Sequence, residues 1–137
     1  MTTLVDSNVL IDVLGPTGPW TAWATSAVQA AQDADVLLIN QIVYGELSVG
    51  FDSIEALDLA LPEGMIEREG LPWQAAFLAG KCFLEYRRRG GTRTGVLPDF
   101  FIGAHAAVAG YRLLTRDPRR YRTYFPSLEL ITPVTLA

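Results

Sequence analysis

The chain has 137 residues, 50% of them hydrophobic and 19% charged, which excludes a disordered or collagen-like polypeptide and suits one cored domain spanning 1–137. The formal charge of -4 is unevenly spread: residues 1–80 hold eleven acids and one base, and residues 81–137 hold ten bases and four acids. A polyanion can therefore still be held against the C-terminal half, because the local field steers a partner.

No uninterrupted apolar stretch reaches the length of a bilayer, and no basic segment precedes an apolar one at the N-terminus. Neither a membrane anchor nor a secretory signal is expected. The single Cys82 rules out an intrachain disulfide and a zinc cluster of cysteines. It suits a reducing cytoplasm and reads as a small buried hydrophobe.

Leu4-Val5 is a short apolar run that stops at Asp6, after which Val9, Leu10, Val13 and Leu14 recur at helical spacing. Asp6 is thereby placed at the carboxyl end of a strand, the edge where open α/β sheets bind ligands. Gly15-Pro-Thr-Gly-Pro19 breaks the first helix, and Pro19 suits the first turn of a second. That helix carries Trp20, Trp23, Ala24, Ala27, Val28 and Ala31 on one face and ends in Gln32-Asp-Ala-Asp35. Its apolar stripe fits core packing or a partner surface.

Val36-Leu-Leu-Ile39 reads as a strand buried on both faces of a parallel sheet. Asn40 is a good N-cap for a helix over 41–50, on which Glu46 falls on one face with Ile42, Val43 and Val49. A carboxylate on an apolar side needs a metal, a proton or an ion-pair partner such as a distant arginine. Ser53 caps a further helix that stops before Pro62, and Glu63 to Gly70 fits a connector or a short edge strand.

Pro72 to Arg89 is the longest helical pattern, with Trp73, Ala76, Phe77, Gly80, Phe83 and Leu84 on one side. Its last-turn arginines and Gly90-Gly91 end it in the ordinary way. A polar loop leads to Asp99 and a nearly all-apolar helix that ends at Gly110; there His105 fits a hydrogen-bonded core histidine. Arg112 to Thr115 reads as a strand, Asp117 as a possible cap for a helix begun by Pro118, and Leu128 to Ile131 as a last strand.

In a parallel sheet with right-handed crossovers, strand exits and the following helix starts share one edge. Asp6, Glu46, Asp99 and Asp117 are therefore candidates for one acidic cleft. Two unit charges about 4 Å apart repel by about 4 kcal/mol at an effective dielectric near 20, so such a cluster shares protons or binds a cation. All-oxygen ligands point to Mg²⁺ or Mn²⁺ and away from zinc. An open site of this kind suits phosphodiester hydrolysis, with Arg93, Arg116, Arg119 and Arg120 as contacts to a nucleic-acid backbone. Single-stranded RNA suits the groove, although the pattern does not itself separate RNA from DNA.

Val5-Asp-Ser-Asn-Val-Leu-Ile-Asp12, Tyr44-Gly-Glu-Leu47, Pro98-Asp-Phe-Phe-Ile-Gly-Ala-His105 and Leu114-Thr-Arg-Asp117 resemble, in order and spacing, the motifs of the PIN domain and its VapC-type toxin ribonucleases. The resemblance spans essentially the whole chain. It implies a three-layer α/β/α fold with a short central parallel sheet and a Mg²⁺- or Mn²⁺-dependent endoribonuclease. It also implies a small cognate antitoxin and a homodimer. Asp6, Glu46, Asp99 and Asp117 take the acidic positions in it, and Asn8 and Thr115 match secondary polar positions near the metal. Two other readings compete: a non-catalytic RNA- or partner-binding module of the same fold, and a haloacid-dehalogenase-like phosphatase. The phosphatase pattern wants a second aspartate where this chain has Asn8.

Overall fold

The computed structural model describes residues 1–61 and 64–133. Strand β1 (Thr2–Val5) leads into α1 (Ser7–Leu14), and α2 (Thr21–Ala34) returns the chain to β2 (Val36–Ile39). Helices α3 (Gln41–Ser48) and α4 (Ile54–Ala60) follow, then β3 (Glu67–Arg68), α5 (Trp73–Arg88) and α6 (Leu97–Ala109). The last elements are β4 (Arg112–Leu114), α7 (Arg119–Tyr124) and β5 (Leu130–Ile131). These strands form one parallel sheet in the order β3-β2-β1-β4-β5, flanked by helices in a three-layer α/β/α arrangement. Among the described residues no helix is long and apolar enough to cross a membrane.

The apolar runs form strands because parallel strands are covered on both faces. Leu4, Val5, Leu37, Leu38, Ile39, Leu113 and Leu114 are all buried. Register sets Leu4 beside Leu38 and Val5 beside Leu114. The residues that follow these strands, Asp6, Asn40 and Thr115, therefore share the carboxyl edge of the sheet. All three are buried polar groups, so each needs partners there.

Asn40 finds two. Its Oδ1 accepts from the Val43 N–H at 3.1 Å and caps α3, while its amide nitrogen lies 3.0 Å from Nδ1 of His105. With Oδ1 so committed, the amide donates to Nδ1, and the proton on Nε2 is given to Glu69 Oε1 at 3.1 Å. Tyr111 also donates to Glu69, at 2.7 Å. His105, fully buried, is the core histidine its setting suggests, tying α6 to β2 and to the loop after β3.

Four expectations change. Helix α2 begins at Thr21 rather than Pro19, since the Gly18 N–H donates to Thr21 Oγ1 at 2.9 Å and the chain turns there. On α3 the core residues are Val43 and Leu47, while Val49 lies beyond the helix and is 89% exposed. Helix α5 buries Ala75, Ala79, Cys82 and Tyr86, leaving Trp73 89% and Phe77 69% exposed. Small residues let α5 lie close against α6, so the large apolar side chains are turned outward. Finally, β5 is shorter than the apolar run 128–131, because only Leu130 and Ile131 pair with β4. The edge strand expected before Gly70 is β3, whereas Pro62 and Glu63 lie outside the described residues.

Asn40→Ala removes a helix cap and leaves Nδ1 of a buried imidazole unpaired. The expected loss is about 2–4 kcal/mol of folding stability by urea denaturation. A change within experimental error would show that the cap and the imidazole contact contribute nothing.

Candidate active site

Asp6 ends β1 and sits at the N-cap of α1, with extended backbone and no side-chain capping bond. Its carboxylate is therefore free to face the sheet edge, and it is only 3% exposed. Oδ2 accepts two hydroxyl bonds, from Thr115 at 2.8 Å and Tyr121 at 2.9 Å. Among the described residues Oδ1 receives only a long contact of 3.5 Å from Ser7. Burial raises this carboxyl to about 6; the charges of Asp99 and Glu46 add to the rise, and the Thr115 and Tyr121 bonds oppose it.

Glu46 projects from α3 toward the start of α1, where Ser7 Oγ donates to its Oε1 at 2.9 Å. Among the described residues it makes no ion pair, so the distant arginine considered from sequence is not its partner. Burial raises its carboxyl, the Ser7 bond lowers it, and the charge of Asp99 raises it again. Asp99, in the first turn of α6, is half-buried and lies 2.5 Å from Nη1 of Arg120. Burial raises the Asp99 carboxyl, Arg120 pulls it down, and Asp117 adds a further rise.

Asp117 is exposed, and its N–H donates to Thr115 Oγ1 at 3.2 Å. It makes no capping bond to α7, whose N-cap is Pro118, so the capping role open to it from sequence is not used. Thr115, fully buried, joins three neighbours, since Asn8 Nδ2 also approaches its Oγ1 at 3.4 Å. Asn8 in turn accepts from the Arg116 N–H at 3.2 Å.

Asp6, Glu46 and Asp99 thus act on one another pairwise, and Asp117 joins them through Asp99. Asp99 and Asp117 line a cleft of about 550 Å³ whose other walls include Arg89, Arg93, Arg119 and Arg120. Asp6 is not among those walls, and Glu46 borders a separate apolar groove of about 620 Å³ with Ile11, Leu14, Leu47 and Phe51. Arg116 is held elsewhere, its Nε 2.7 Å from Asp12 Oδ2 and its guanidinium over the Trp20 ring.

Charge repulsion among neighbouring carboxylates and an all-oxygen donor set fit a hard divalent ion. Among the described residues no three His, Cys, Asp or Glu side chains close around one point. Tyr121, Ser7, Asp12 and Arg89 carry contacts that the sequence did not single out. Only the helical spacing of Tyr121, Tyr124 and Phe125 could have marked Tyr121 as inward-facing.

The profile of the PIN domain matches residues 3–126. No curated protein shows significant similarity to the chain. Among solved structures, the chain resembles one in VapBC2 of Rickettsia felis bound to promoter DNA, with 19% identity and a TM-score of 0.72 over 96% of this chain and 98% of that one. A chain of a toxin–antitoxin complex from Klebsiella pneumoniae is 22% identical at a TM-score of 0.68, over 98% and 99% of the two chains. A chain of DNA-bound VapBC from Salmonella typhimurium is 21% identical at the same score, over 96% and 98%.

A carboxyl held above its ordinary 3.8 binds its proton more tightly when folded, so stability is fullest below 3.8 and falls as pH rises through about 6. In EDTA, Asp6→Asn is therefore expected to stabilise the protein at pH 7 by roughly 3 kcal/mol at most. The gain should shrink toward zero near pH 4. Destabilisation at pH 7 would show that the charge of Asp6 is itself needed for folding.

Proposed function

From the premise that the chain belongs to the PIN-domain family, we propose that it is a metal-dependent endoribonuclease, the VapC-type toxin of a toxin–antitoxin pair. The observation that carries the reading is the coupled trio Asp6, Glu46 and Asp99 at the carboxyl edge of the sheet, beside a cleft walled by Asp99, Asp117 and four arginines. Membership of this family sets aside the phosphatase alternative.

In this reading Asp6 and Asp99 hold Mg²⁺ or Mn²⁺, with Glu46 and Asp117 completing the acidic set. When bound, the ion supplies an activated water and offsets charge at the phosphodiester. Thr115 keeps the Asp6 carboxylate turned toward the acids, and Asn8 fixes Thr115 against the loop after β4. Arg93 and Arg119, both exposed on the cleft wall, hold the RNA backbone, while Arg120 stands between Asp99 and the same cleft. Arg116 is a weaker candidate for RNA contact because Asp12 already neutralises it.

The solved chains that resemble this one come from toxin–antitoxin complexes, which supports an antitoxin partner here. Two apolar surfaces offer room for protein contacts, antitoxin and homodimer alike: the groove beside Glu46 and the outward flank of α5 at Trp73, Phe77 and Leu84. Action on cellular RNA would place the protein in the cytoplasm.

The test is incubation of purified protein with single-stranded RNA in Mg²⁺, Mn²⁺ or EDTA. Internal cleavage that needs the ion and is lost in Asp99→Asn is expected; binding without cleavage under every condition would favour the non-catalytic module. Arg119→Ala is expected to weaken RNA binding and lower the slope of log affinity against log salt by about one, and Arg116→Ala to change it less. Equal slopes for wild type and Arg119→Ala would remove Arg119 from the RNA path.

A further inference from the structure

The two oxygens of Asp6 are treated unequally. Oδ2 takes the hydroxyls of Thr115 at 2.8 Å and Tyr121 at 2.9 Å, which fill the two lone-pair directions of one carboxylate oxygen. Among the described residues Oδ1 has only the 3.5 Å approach of Ser7, whose hydroxyl has a shorter bond of 2.9 Å to Glu46.

Tyr121 reaches this position because α7 seats closely on α6. A methyl group built on Gly103 would lie 2.5 Å from the Phe125 ring and 2.9 Å from that of Tyr121. Gly103 therefore provides the space that α7 fills, and the Tyr121 ring is almost wholly enclosed. Consecutive residues of α7 then meet two different acids: Arg120 meets Asp99, and Tyr121 meets Asp6. Their demands differ. A divalent ion at Asp99 must compete with the Arg120 guanidinium, whereas Tyr121 holds the oxygen of Asp6 that leaves Oδ1 open.

We propose that Tyr121 is a positioning residue that, with Thr115, fixes Asp6 as a one-oxygen ligand presenting Oδ1 to the divalent ion. The proposal rests on the metal-site reading above and adds to it the orientation of its central ligand. Groups that hydrogen-bond a ligating side chain restrict its rotation, and losing one commonly weakens metal binding by about tenfold or more. Tyr121 contributes to this site as a hydrogen-bond donor to Oδ2.

The test is calorimetric titration of the RNA-free protein with Mn²⁺, comparing wild type, Tyr121→Phe and Thr115→Val, with melting in EDTA recorded alongside. Tyr121→Phe keeps the ring that packs on Gly103 and removes only the hydroxyl. Its Mn²⁺ affinity is expected to fall about tenfold while the protein stays folded at the titration temperature. Thr115→Val, which strips the other hydroxyl from the same oxygen, is expected to act the same way, so the claim about Oδ2 can be read from either variant. Wild-type Mn²⁺ affinity in a folded Tyr121→Phe protein, even one that melts earlier, would reduce Tyr121 to a packing residue and overturn the proposal. No Mn²⁺ binding by the wild-type protein would contradict the metal site itself, and the proposal with it.

Discussion

A carboxylate carried almost out of reach of water, at the end of the central strand, is the constraint on which the arrangement depends. Asp6 lies where β1, β2 and β4 all finish, and its charge is poorly solvated there. Hydroxyls from Thr115 and Tyr121 take the place of part of its hydration. Those two residues come from beyond β4 and from α7, so the chain must complete most of its length before Asp6 is satisfied. The adjoining Asn8–Thr115–Arg116 contacts bind the same loop to α1.

Around that point the charges are sorted by how firmly they are held. Arg116 is paired with Asp12, and Arg112 with Asp35 at the opposite end of β4. Both serve the packing of the sheet and its loops. Arg120 is paired with Asp99 yet also borders the basic cleft, so it is the arginine best placed to respond to a change in the acids. Arg93 and Arg119 face solvent on the cleft wall. The uneven charge along the chain thus becomes, in three dimensions, a basic rim beside an acidic sheet edge. That juxtaposition suits a polyanion brought up to a cation site.

Strands β1, β2 and β4, the caps at Asn40 and Ser53 and the glycine stop at Gly110 are legible in the sequence, because each depends on local pattern or local backbone geometry. The outward face of α5 is not. Periodicity found its large apolar side chains, but close packing on α6 selected the smaller Ala75 and Ala79 for burial. The helical pattern shows that Glu46 needs a partner, but nothing local identifies Ser7, far away in sequence, as the donor. The role of Tyr121 is not legible in the sequence, because it lies in one contact across 115 residues of chain, which no spacing rule encodes. The expectation that all four acids share one cleft met a more extended geometry, with Asp99 and Asp117 on the cleft wall, Asp6 enclosed and Glu46 facing another groove.

In the proposed reading, a divalent ion offsets the unfavourable charge held at the sheet edge. Thermal unfolding of the wild-type protein across a Mn²⁺ series at neutral pH tests this most directly. An ion that binds only the native state raises the melting temperature progressively with concentration, and the account predicts that rise, with no comparable rise in an equivalent series of a monovalent salt. A melting temperature indifferent to Mn²⁺ through the millimolar range would contradict it.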